Sequence, residues 1–439
     1  PRIVPDLGHP SGAAVQLDGA HGPLSPARSK AILDALASRG EPTDIFTRHL
    51  ALDRILAEHY DRRGFMRMAG ATTLAAAVLA ACKKAADDGT TTGTTGQPVS
   101  HPPIEQEPGD LAVFDWSGYG NGDYYPDKER VGLWQQYADA TGDTPQFTLF
   151  ENDDAAYTKA VAGTANFDVV HPCGYKYKDW VDLGAMQPWD TSLISNYGAL
   201  NPTLLESGVV DGQQYFIPLD WGFIAPLVNL DHVDVQEESF GILFDDRYEG
   251  KISWVDTSNM MYIGGMFLGV ADPFDMSDEE LAEVRDFLAS KKHLVKFMWN
   301  QSYDFWLSFK KEEVWIGYAW PDTVGYADAA GMNYLYMEPK EGRVSWVCGM
   351  GLAKDTPNYF HAHEYVDSWA SKKAAEFLLA WYYYGHTNTE ADLSVVSPGV
   401  VQALGLDDPT VLDPPRAIPE SYIPRRDVYQ QYWSEVLAS

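Results

Sequence analysis

Cysteine is scarce in this 439-residue chain, which contains only Cys82, Cys173 and Cys348. That number and spacing exclude a disulfide-stapled scaffold and a zinc ribbon. The sequence also lacks the G-x-S-x-G, P-loop and H-E-x-x-H patterns. The usual motifs of serine hydrolases, of enzymes that bind nucleoside triphosphates and of zinc proteases are therefore missing.

Positive charge is also in short supply. Lysine and arginine total 32 against 63 aspartates and glutamates, so the formal net charge is −31. A chain this acidic repels nucleic acid and anionic lipid, whereas it attracts cationic solutes. Many exported proteins are acidic for the sake of solubility alone, so both interpretations stay open on composition.

Aromatic residues, by contrast, are abundant. They make up 13% of the chain, with 14 tryptophans and 25 tyrosines. Such rings pack in cores, and they also stack on methylene groups and attract cations in binding clefts. The length and a hydrophobic content of 45% predict two lobes with appendages, because one ordinary domain rarely reaches this size.

An export signal is predicted at residues 62–82. It begins with a twin-arginine pattern at Arg62 and Arg63, and an apolar run of small residues follows at 68–81. That run of about 14 residues is too short to cross a bilayer as a mature helix. It ends in Leu-Ala-Ala-Cys at Cys82, which resembles a lipobox, where the cysteine receives a lipid anchor. A buried alanine-rich helix is the alternative interpretation.

The segments on either side of the signal lack the composition of a folded domain. Residues 83–108 are rich in Ala, Asp, Gly, Thr and Pro, which predicts a flexible tether. Residues 1–61 contain helical stretches without a partner fold, and we expect this extension to be dispensable or wrongly assigned. We therefore expect a periplasmic or cell-surface protein that is lipid-anchored to a membrane.

The rest of the chain alternates between short apolar strands and amphipathic helices, which predicts parallel α/β units. The predicted strands are 111–116, 144–150, 167–171, 251–255 and 314–319. The predicted helices are 127–140, 153–162, 277–289, 303–309, a short one from residue 322, 365–384 and 427–437. Ser277 and Glu280 are predicted to form a capping box at the start of one of these helices.

Two crossing segments, 216–222 and 344–348, divide this pattern into two lobes. The first lobe is predicted to contain residues 109–221 plus 349–395, and the second 222–348 plus 396–439. Two α/β lobes joined in this way place a ligand in the cleft between them.

Two further patterns could indicate a cofactor or a metal. Residues 118–122 read Gly-x-Gly-x-Gly but open no helix, so dinucleotide binding is not predicted. His361 and His363 precede a predicted helix, and we interpret them as its solvated first turn. We therefore predict no cofactor and no metal.

Seven short motifs, in this order and spacing, resemble the spermidine/putrescine-binding proteins of bacterial uptake systems. The resemblance covers residues 111–439. The motifs are FDWSGY at 114–119, FDVV at 167–170 leading to Tyr175, IPLDWG at 217–222, YEGK at 248–251, GYAW at 317–320, PKEG at 339–342 and SW at 345–346.

The resemblance implies the two-lobed periplasmic-binding-protein fold, an α/β architecture with crossing hinge strands and an interlobe ligand cleft. It also implies a monomer that performs no chemistry and delivers its solute to the permease and ATPase subunits of an ABC transporter. The family clamps a polyamine between aromatic faces. The matching contact positions are Trp116, Ser117, Tyr119, Tyr175, Trp221, Trp320, Trp346 and Tyr384.

The sequence departs from the family where the amines are balanced by acids. Gly118, Thr257, Met260 and Cys348 stand where the family resemblance implies acids. A buried ammonium is costly without a counter-charge, so other carboxylates must replace them. The candidates are Asp115, Asp220, Asp256 and Asp322. For Asp322 the alternative role is a helix N-cap.

These departures leave other functions open. An aromatic cage with few carboxylates also suits choline or a betaine. A secreted enzyme exported in the folded state is a further alternative, as is a sensor or adhesion module that kept the fold. The resemblance also places Cys173 and Cys348 near the hinge, where a disulfide is plausible in an oxidising periplasm. Free buried thiols are the alternative.

Overall fold

The computed structural model describes residues 2–3, 16–17, 105–116, 119, 132–150 and 152–439. The predicted signal with Cys82, nearly all of the N-terminal extension and most of the tether lie outside the described residues, as does Ser117. Within the described ranges, no helix is long and apolar enough to cross a membrane.

The described residues form strands of two to 14 residues. The strands are β1 (Arg2–Ile3), β2 (Gln16–Leu17), β3 (Ala112–Trp116), β4 (Gln146–Phe150), β5 (Val169–Val170), β6 (Met186–Gln187), β7 (Val209–Val210), β8 (Gln213–Gln214), β9 (Phe216–Asn229), β10 (Ile252–Val255), β11 (Val295–Trp299), β12 (Ile316–Ala319), β13 (Tyr334–Tyr336), β14 (Arg343–Ala353), β15 (Gly385–His386) and β16 (Ala417–Pro419).

Helices cover the sheet and connect its strands. The α-helices are α1 (Gln135–Thr141), α2 (Asp153–Val161), α3 (Tyr177–Asp182), α4 (Pro202–Glu206), α5 (Asn259–Leu268), α6 (Asp278–Lys291), α7 (Ser302–Lys310), α8 (Pro321–Ala329), α9 (Tyr359–Trp369), α10 (Lys372–Tyr382), α11 (Pro398–Leu404) and α12 (Arg426–Ala438). Short 3-10 turns lie at Thr191–Leu193, Tyr197–Ala199, Phe240–Phe244, Asp246–Tyr248, Lys292–Leu294 and Leu393–Val395.

One 12-stranded sheet runs through both lobes, in the order β11-β10-β12-β9-β14-β5-β3-β4, with β13, β15, β16 and β6 attached beside this path. In the first lobe β3 is parallel to β4 and β5. In the second lobe β10 is parallel to β11 and β12. Between them β9 and β14 are antiparallel to each other, β9 is antiparallel to β12, and β14 is antiparallel to β5. The predicted two-lobed α/β fold with crossing strands is thus confirmed.

The crossing strands are longer than predicted. In the sequence, Pro218 and Gly222 look like residues that end a strand, which made the first prediction too short. All 14 residues of β9 are buried. A proline cannot donate a ladder hydrogen bond, so it sits at irregularities of a sheet. Here Cys348 pairs with Asp220 and Gly349 pairs with Pro218, so the register skips one residue of β9.

The strand predictions are confirmed to within a few residues, but two helix predictions need correction. The helix predicted over 127–140 begins at Gln135, since residues 132–134 form a turn, and residues 127–131 lie outside the described residues. The segment 365–384 is not one helix, because α9 ends at Trp369 and α10 begins after Ser371. The Ser371 side chain accepts a hydrogen bond from the Ala374 amide, so it is an N-cap that starts a new helix. The capping box at Ser277 is confirmed.

The expectation that His361 and His363 are solvated is also wrong, since both are buried. The two ring nitrogens of His361 lie 2.9 Å from the Tyr137 hydroxyl and 2.9 Å from the Glu107 carbonyl oxygen. These histidines therefore connect the start of α9 to the rest of the first lobe.

Each lobe has its own apolar core, and large rings occupy both. Fully buried tryptophans are Trp180 and Trp369 in the first lobe and Trp254, Trp299 and Trp433 in the second. Part of the aromatic excess in the sequence therefore serves packing rather than binding.

Cys173 and Cys348 face each other between the end of β5 and β14. The structure joins them by a disulfide, with 3.8 Å between their Cα atoms. The Gly174 amide donates to the Val347 carbonyl and the Gly349 amide to the Pro172 carbonyl, so the cysteines form a non-hydrogen-bonded antiparallel pair. In such pairs the side chains approach most closely.

Replacing Trp254 by alanine should lower the free energy of unfolding by about 3–5 kcal/mol, because the cavity left by a fully buried ring is not refilled. Urea unfolding measures this change. The matched control is Tyr422→Ala, since that ring is 48% exposed and its loss should change stability by at most about 0.5 kcal/mol. Equal effects of the two substitutions would contradict the assignment of Trp254 to the core.

The disulfide is tested by alkylating the denatured protein without reductant. Cys173 and Cys348 should stay unlabelled until a reductant is added. The double variant Cys173→Ala/Cys348→Ala should lose about 2–5 kcal/mol of stability, because a cross-link between residues separated by 175 positions restricts the unfolded chain. Under reducing conditions the gap to wild type should nearly close. Labelling of both cysteines before reduction would contradict the bond.

Candidate functional site

The carboxyl ends of parallel strands from both lobes meet beside the β9–β14 pair. In the first lobe β3 ends at Trp116 and β5 ends just before His171. In the second lobe β10 ends before Asp256 and β12 ends before Trp320. Ligands of α/β proteins bind outside these strand ends. The interlobe cleft is therefore the candidate site.

Four rings form a continuous series, here called the aromatic row, that leads from the first lobe to β14. The Tyr119 ring lies 5.1 Å from Tyr382, Tyr382 lies 6.0 Å from Tyr384, and Tyr384 lies 4.9 Å from Trp346. The structure thus brings together Tyr119, Tyr384 and Trp346, which the sequence analysis named. Tyr382 was not predicted, although it precedes Tyr384 by only two residues.

Gly222 lets the second-lobe wall approach the aromatic row. A Cβ atom at this position would lie 2.4 Å from the Trp346 ring and 3.0 Å from Pro321. Only glycine leaves room for both neighbours. Trp320, which precedes Pro321, stands edge-on to Trp299 at 5.1 Å. Trp346 and Pro321 therefore both border Gly222, and Trp320 directly precedes Pro321.

Trp116 and Trp221 lie outside the aromatic row. Trp116 packs against Phe150 at 4.8 Å, and its indole nitrogen donates to the His171 carbonyl oxygen at 2.8 Å. Trp221 is 8% exposed, and its indole nitrogen donates to the His386 carbonyl oxygen. A Cβ atom on Gly385 would lie 2.1 Å from the Trp221 ring, so this glycine permits the packing.

Two of the predicted counter-charges, Asp115 and Asp220, are bridged by a histidine. His171 Nδ1 lies 2.8 Å from Asp115 Oδ1, and its Nε2 lies 2.9 Å from Asp220 Oδ1. Asp115 is on β3 and Asp220 on β9, so His171 ties the first lobe to a crossing strand. The Tyr119 hydroxyl donates to Asp220 Oδ2 at 2.8 Å.

The bridge requires a proton on each ring nitrogen of His171. A carboxylate is only an acceptor, and neutral imidazole has a single N–H to donate. Burial alone would lower the pKa of His171, but Asp115 and Asp220 outweigh it and raise that pKa to about 10. Burial and the Asp220 charge also raise the pKa of Tyr119 well above its usual value, so Tyr119 remains a donor.

Asp322 presents a different environment. The Ser302 hydroxyl donates to its Oδ2 atom, while Oδ1 is buried and has no hydrogen-bond partner. Burial raises the pKa of this carboxyl to about 6. The N-cap alternative is wrong, because the N-cap of α8 is Trp320 and Asp322 lies in the first turn.

Asp256 is held within the second lobe. The Trp433 indole nitrogen donates to Asp256 Oδ1 at 3.2 Å, and the Asp256 amide donates to the Trp299 carbonyl oxygen at 2.8 Å. These contacts attach the end of β10 to α12 and to β11. Asp256 Oδ1 is therefore used within the second lobe.

Tyr175 is covered by a side chain of the protein itself. The Arg426 guanidinium, at the start of α12 in the second lobe, lies 4.9 Å from the centre of the Tyr175 ring. Its Nε atom also lies 2.9 Å from Asp154 Oδ2 on α2 of the first lobe. Lys176 pairs with the other Asp154 oxygen at 3.1 Å. A basic residue thus occupies the ring face that the sequence analysis assigned to a ligand.

His171 and Arg426 were not predicted from the sequence as site residues. The position of His171 could have indicated it, because it is the polar residue directly after a buried strand whose carboxyl end lies at the cleft. No signal existed for Arg426, because an arginine at a helix start is usually exposed. Across the described ranges, no cluster of three or more histidine, cysteine, aspartate or glutamate side chains is arranged to hold a metal ion.

Comparison with known proteins assigns the chain to a family. The family model described as "Bacterial extracellular solute-binding protein" matches residues 133–403, which is more than half of the chain. Over 261 residues, the chain is 25% identical to the spermidine/putrescine-binding periplasmic protein of Escherichia coli, covering 56% of this chain and 69% of that one.

Solved structures share the fold at low identity. The spermidine/putrescine substrate-binding protein of Streptococcus pneumoniae matches with a TM-score of 0.59 and 20% identity, covering 75% of this chain and 97% of that one. A glucopine-bound binding protein of A. tumefaciens matches with a TM-score of 0.58 and 16% identity, covering 74% and 99%. One fold thus serves different ligands. The resemblance noted in the sequence is confirmed: the chain belongs to the bacterial extracellular solute-binding protein family.

Proposed function

We propose that this protein is the capture subunit of an ABC importer and binds a small organic cation of the polyamine type in the interlobe cleft. The names of the similar periplasmic proteins, which refer to spermidine and putrescine, support this solute class. The observation that carries the proposal is the buried Asp322 Oδ1 atom, which has no hydrogen-bond partner and lies two residues after Trp320, beyond the end of β12.

A buried carboxylate oxygen without a donor is unfavourable, and a ligand ammonium corrects this by supplying both a hydrogen bond and a positive charge. Methylene or methyl groups of the same ligand can stack on Trp320 and Trp346. An ammonium over such a ring gains about 0.5–2 kcal/mol, depending on how far it is desolvated. The net charge of −31 attracts a cation toward the cleft from a distance.

The remaining parts of the proposal concern delivery. A lipid on Cys82 would hold the protein at a membrane, and the tether would let it reach the permease that the ATPase drives. The protein would act as a monomer without a cofactor. Closure of two lobes about crossing strands is a hinge motion that such subunits can use to trap a solute. The contact between Arg426 on α12 and Asp154 on α2 spans the two lobes.

A quaternary ammonium solute such as choline or glycine betaine is the second candidate. The observation in its favour is that His171 engages Asp115 and Asp220 and that Trp433 engages Asp256. A ligand with one cationic group needs fewer free acids than a diamine does. A secreted enzyme exported in the folded state is the candidate of a different class, and turnover of a bound solute would favour it.

Thermal unfolding with putrescine, spermidine, choline and glycine betaine tests the proposed function. A ligand present at about a thousand times its dissociation constant should stabilise the folded state by about 4 kcal/mol. Asp322→Asn should abolish this shift, whereas Asp256→Asn should reduce it less. Shifts with polyamines support the first candidate, and shifts confined to choline or glycine betaine support the second. No shift with any of the four would contradict a cationic ligand.

The affinity for a cation should depend on pH through Asp322. The pKa of this carboxyl is raised to about 6, so it is neutral at lower pH and cannot balance a cation. Calorimetry with choline, whose charge does not change, should show a constant affinity above pH 7. Below pH 6 the affinity should fall about tenfold per pH unit.

Two variants check the source of this pH dependence. Asp322→Asn should give weak binding that does not vary with pH. Burial raises the pKa of Asp153 to about 7, so this residue titrates in the same pH range as Asp322. In Asp153→Asn the affinity for choline should still decrease below pH 6. If the affinity of Asp153→Asn no longer decreased below pH 6, while that of Asp322→Asn still did, the pH dependence would come from Asp153 and not from Asp322.

A further inference from the structure

We propose that His171 is a built-in cation that occupies the acids expected to hold one end of a diamine, and that the solute therefore carries a single cationic group. This inference rests on one part of the proposed function, the capture of an organic cation in the same cleft. Within that function it favours the second candidate, a solute with one cationic group, over a polyamine. It makes His171 a residue that determines specificity without itself touching the ligand.

The surroundings of His171 are those of a cation receptor. Its two nitrogens face Asp115 on β3 and Asp220 on β9, and all three side chains are at most 1% exposed. The Tyr119 ring stacks on the imidazolium at 5.3 Å, and Trp369 stands edge-on to it at 5.2 Å. Two acids and an aromatic face are the groups that would otherwise bind an ammonium.

The oxygens of these acids are largely used. Asp220 accepts from His171 at one oxygen and from Tyr119 at the other. Asp115 Oδ1 accepts from the Trp116 amide at 2.8 Å as well as from His171, and Asp115 Oδ2 is buried without a partner. The two carboxylates and the imidazolium leave one net negative charge. An external ammonium would have to displace a hydrogen-bonded, buried imidazolium to use both acids.

The other titratable groups near His171 do not replace it. Tyr365 packs near Asp115, and burial raises the pKa of this phenol well above its usual value. His386 lies near Asp220, but burial lowers its pKa to about 4, so it is neutral. Its Nε2 atom lies 3.0 Å from the Trp369 carbonyl oxygen. His171 is therefore the cation that lies between these two acids and neutralises one of their two charges, while Asp322 remains on the second lobe for the solute.

A matched pair of probes tests this inference by calorimetry on the full chain. Putrescine and 4-amino-1-butanol have the same length, and the second has a hydroxyl in place of one ammonium. In the wild type, putrescine should bind no more tightly than 4-amino-1-butanol. In His171→Gln, Asp115 and Asp220 lose their cation. Putrescine should then bind on the order of tenfold more tightly than 4-amino-1-butanol.

The double variant His171→Gln/Asp220→Asn is the control. It removes one acid together with the cation, so the preference for putrescine should disappear. Wild-type binding of putrescine ten times tighter than that of 4-amino-1-butanol would overturn the inference and keep the proposed function. If neither probe nor any solute of the panel binds the wild type, the proposed function itself fails.

A second measurement does not depend on the variants folding. Nitrogen NMR of the wild type should show two protonated ring nitrogens on His171 at pH 8, in contrast to His386, which should show the signature of a neutral ring. A neutral His171 at pH 8 would overturn the inference whatever the probes show, because the two acids would then be free to bind a cation.

Discussion

The antiparallel pairing of β9 with β14 is the constraint on which the rest of the structure depends. It runs from the Val344–Ile224 pair to the Gly351–Phe216 pair and joins two groups of parallel strands into one sheet. Because both strands cross between the lobes, the strand ends of each lobe face a common cleft. Any group on β9 is shared by both lobes, and Asp220 is such a group.

Burying acids beside that crossing creates a problem of charge. An isolated buried carboxylate is costly, and a pair of them is more so. The protein meets this with His171, held between Asp115 and Asp220 and capped by Tyr119. Among the described residues, Asp322 has no such cation beside it. The Ser302 hydroxyl donates to one of its oxygens, the other lacks a donor, and burial raises its pKa to about 6.

The aromatic content is divided between the cores and the cleft, and only some residues could be assigned from the sequence. Tyr119, Tyr384 and Trp346 were predicted from the family resemblance, and they form three of the four rings of the aromatic row. Trp116 and Trp221 matched the same motifs but pack against Phe150 and Gly385. A motif match gives the position of a residue along a strand, whereas the neighbouring strands decide what the ring contacts. Tyr175 shows the same limit, because the residue that covers it, Arg426, lies 251 positions away in the chain.

The sequence alone determined the alternation of strands and helices, the two crossing segments, the capping box at Ser277 and the family, because each of these rests on local periodicity or on short ordered motifs. It also limited the candidate counter-charges for a cationic ligand to four aspartates. Only the tertiary structure decided which acids are paired, since His171, Asp115 and Asp220 come from three separate strands or strand ends. It likewise decided that α9 and α10 are separate helices and that His361 is buried. Charges and burial depend on groups distant in the chain, and a single sequence does not order such groups in space.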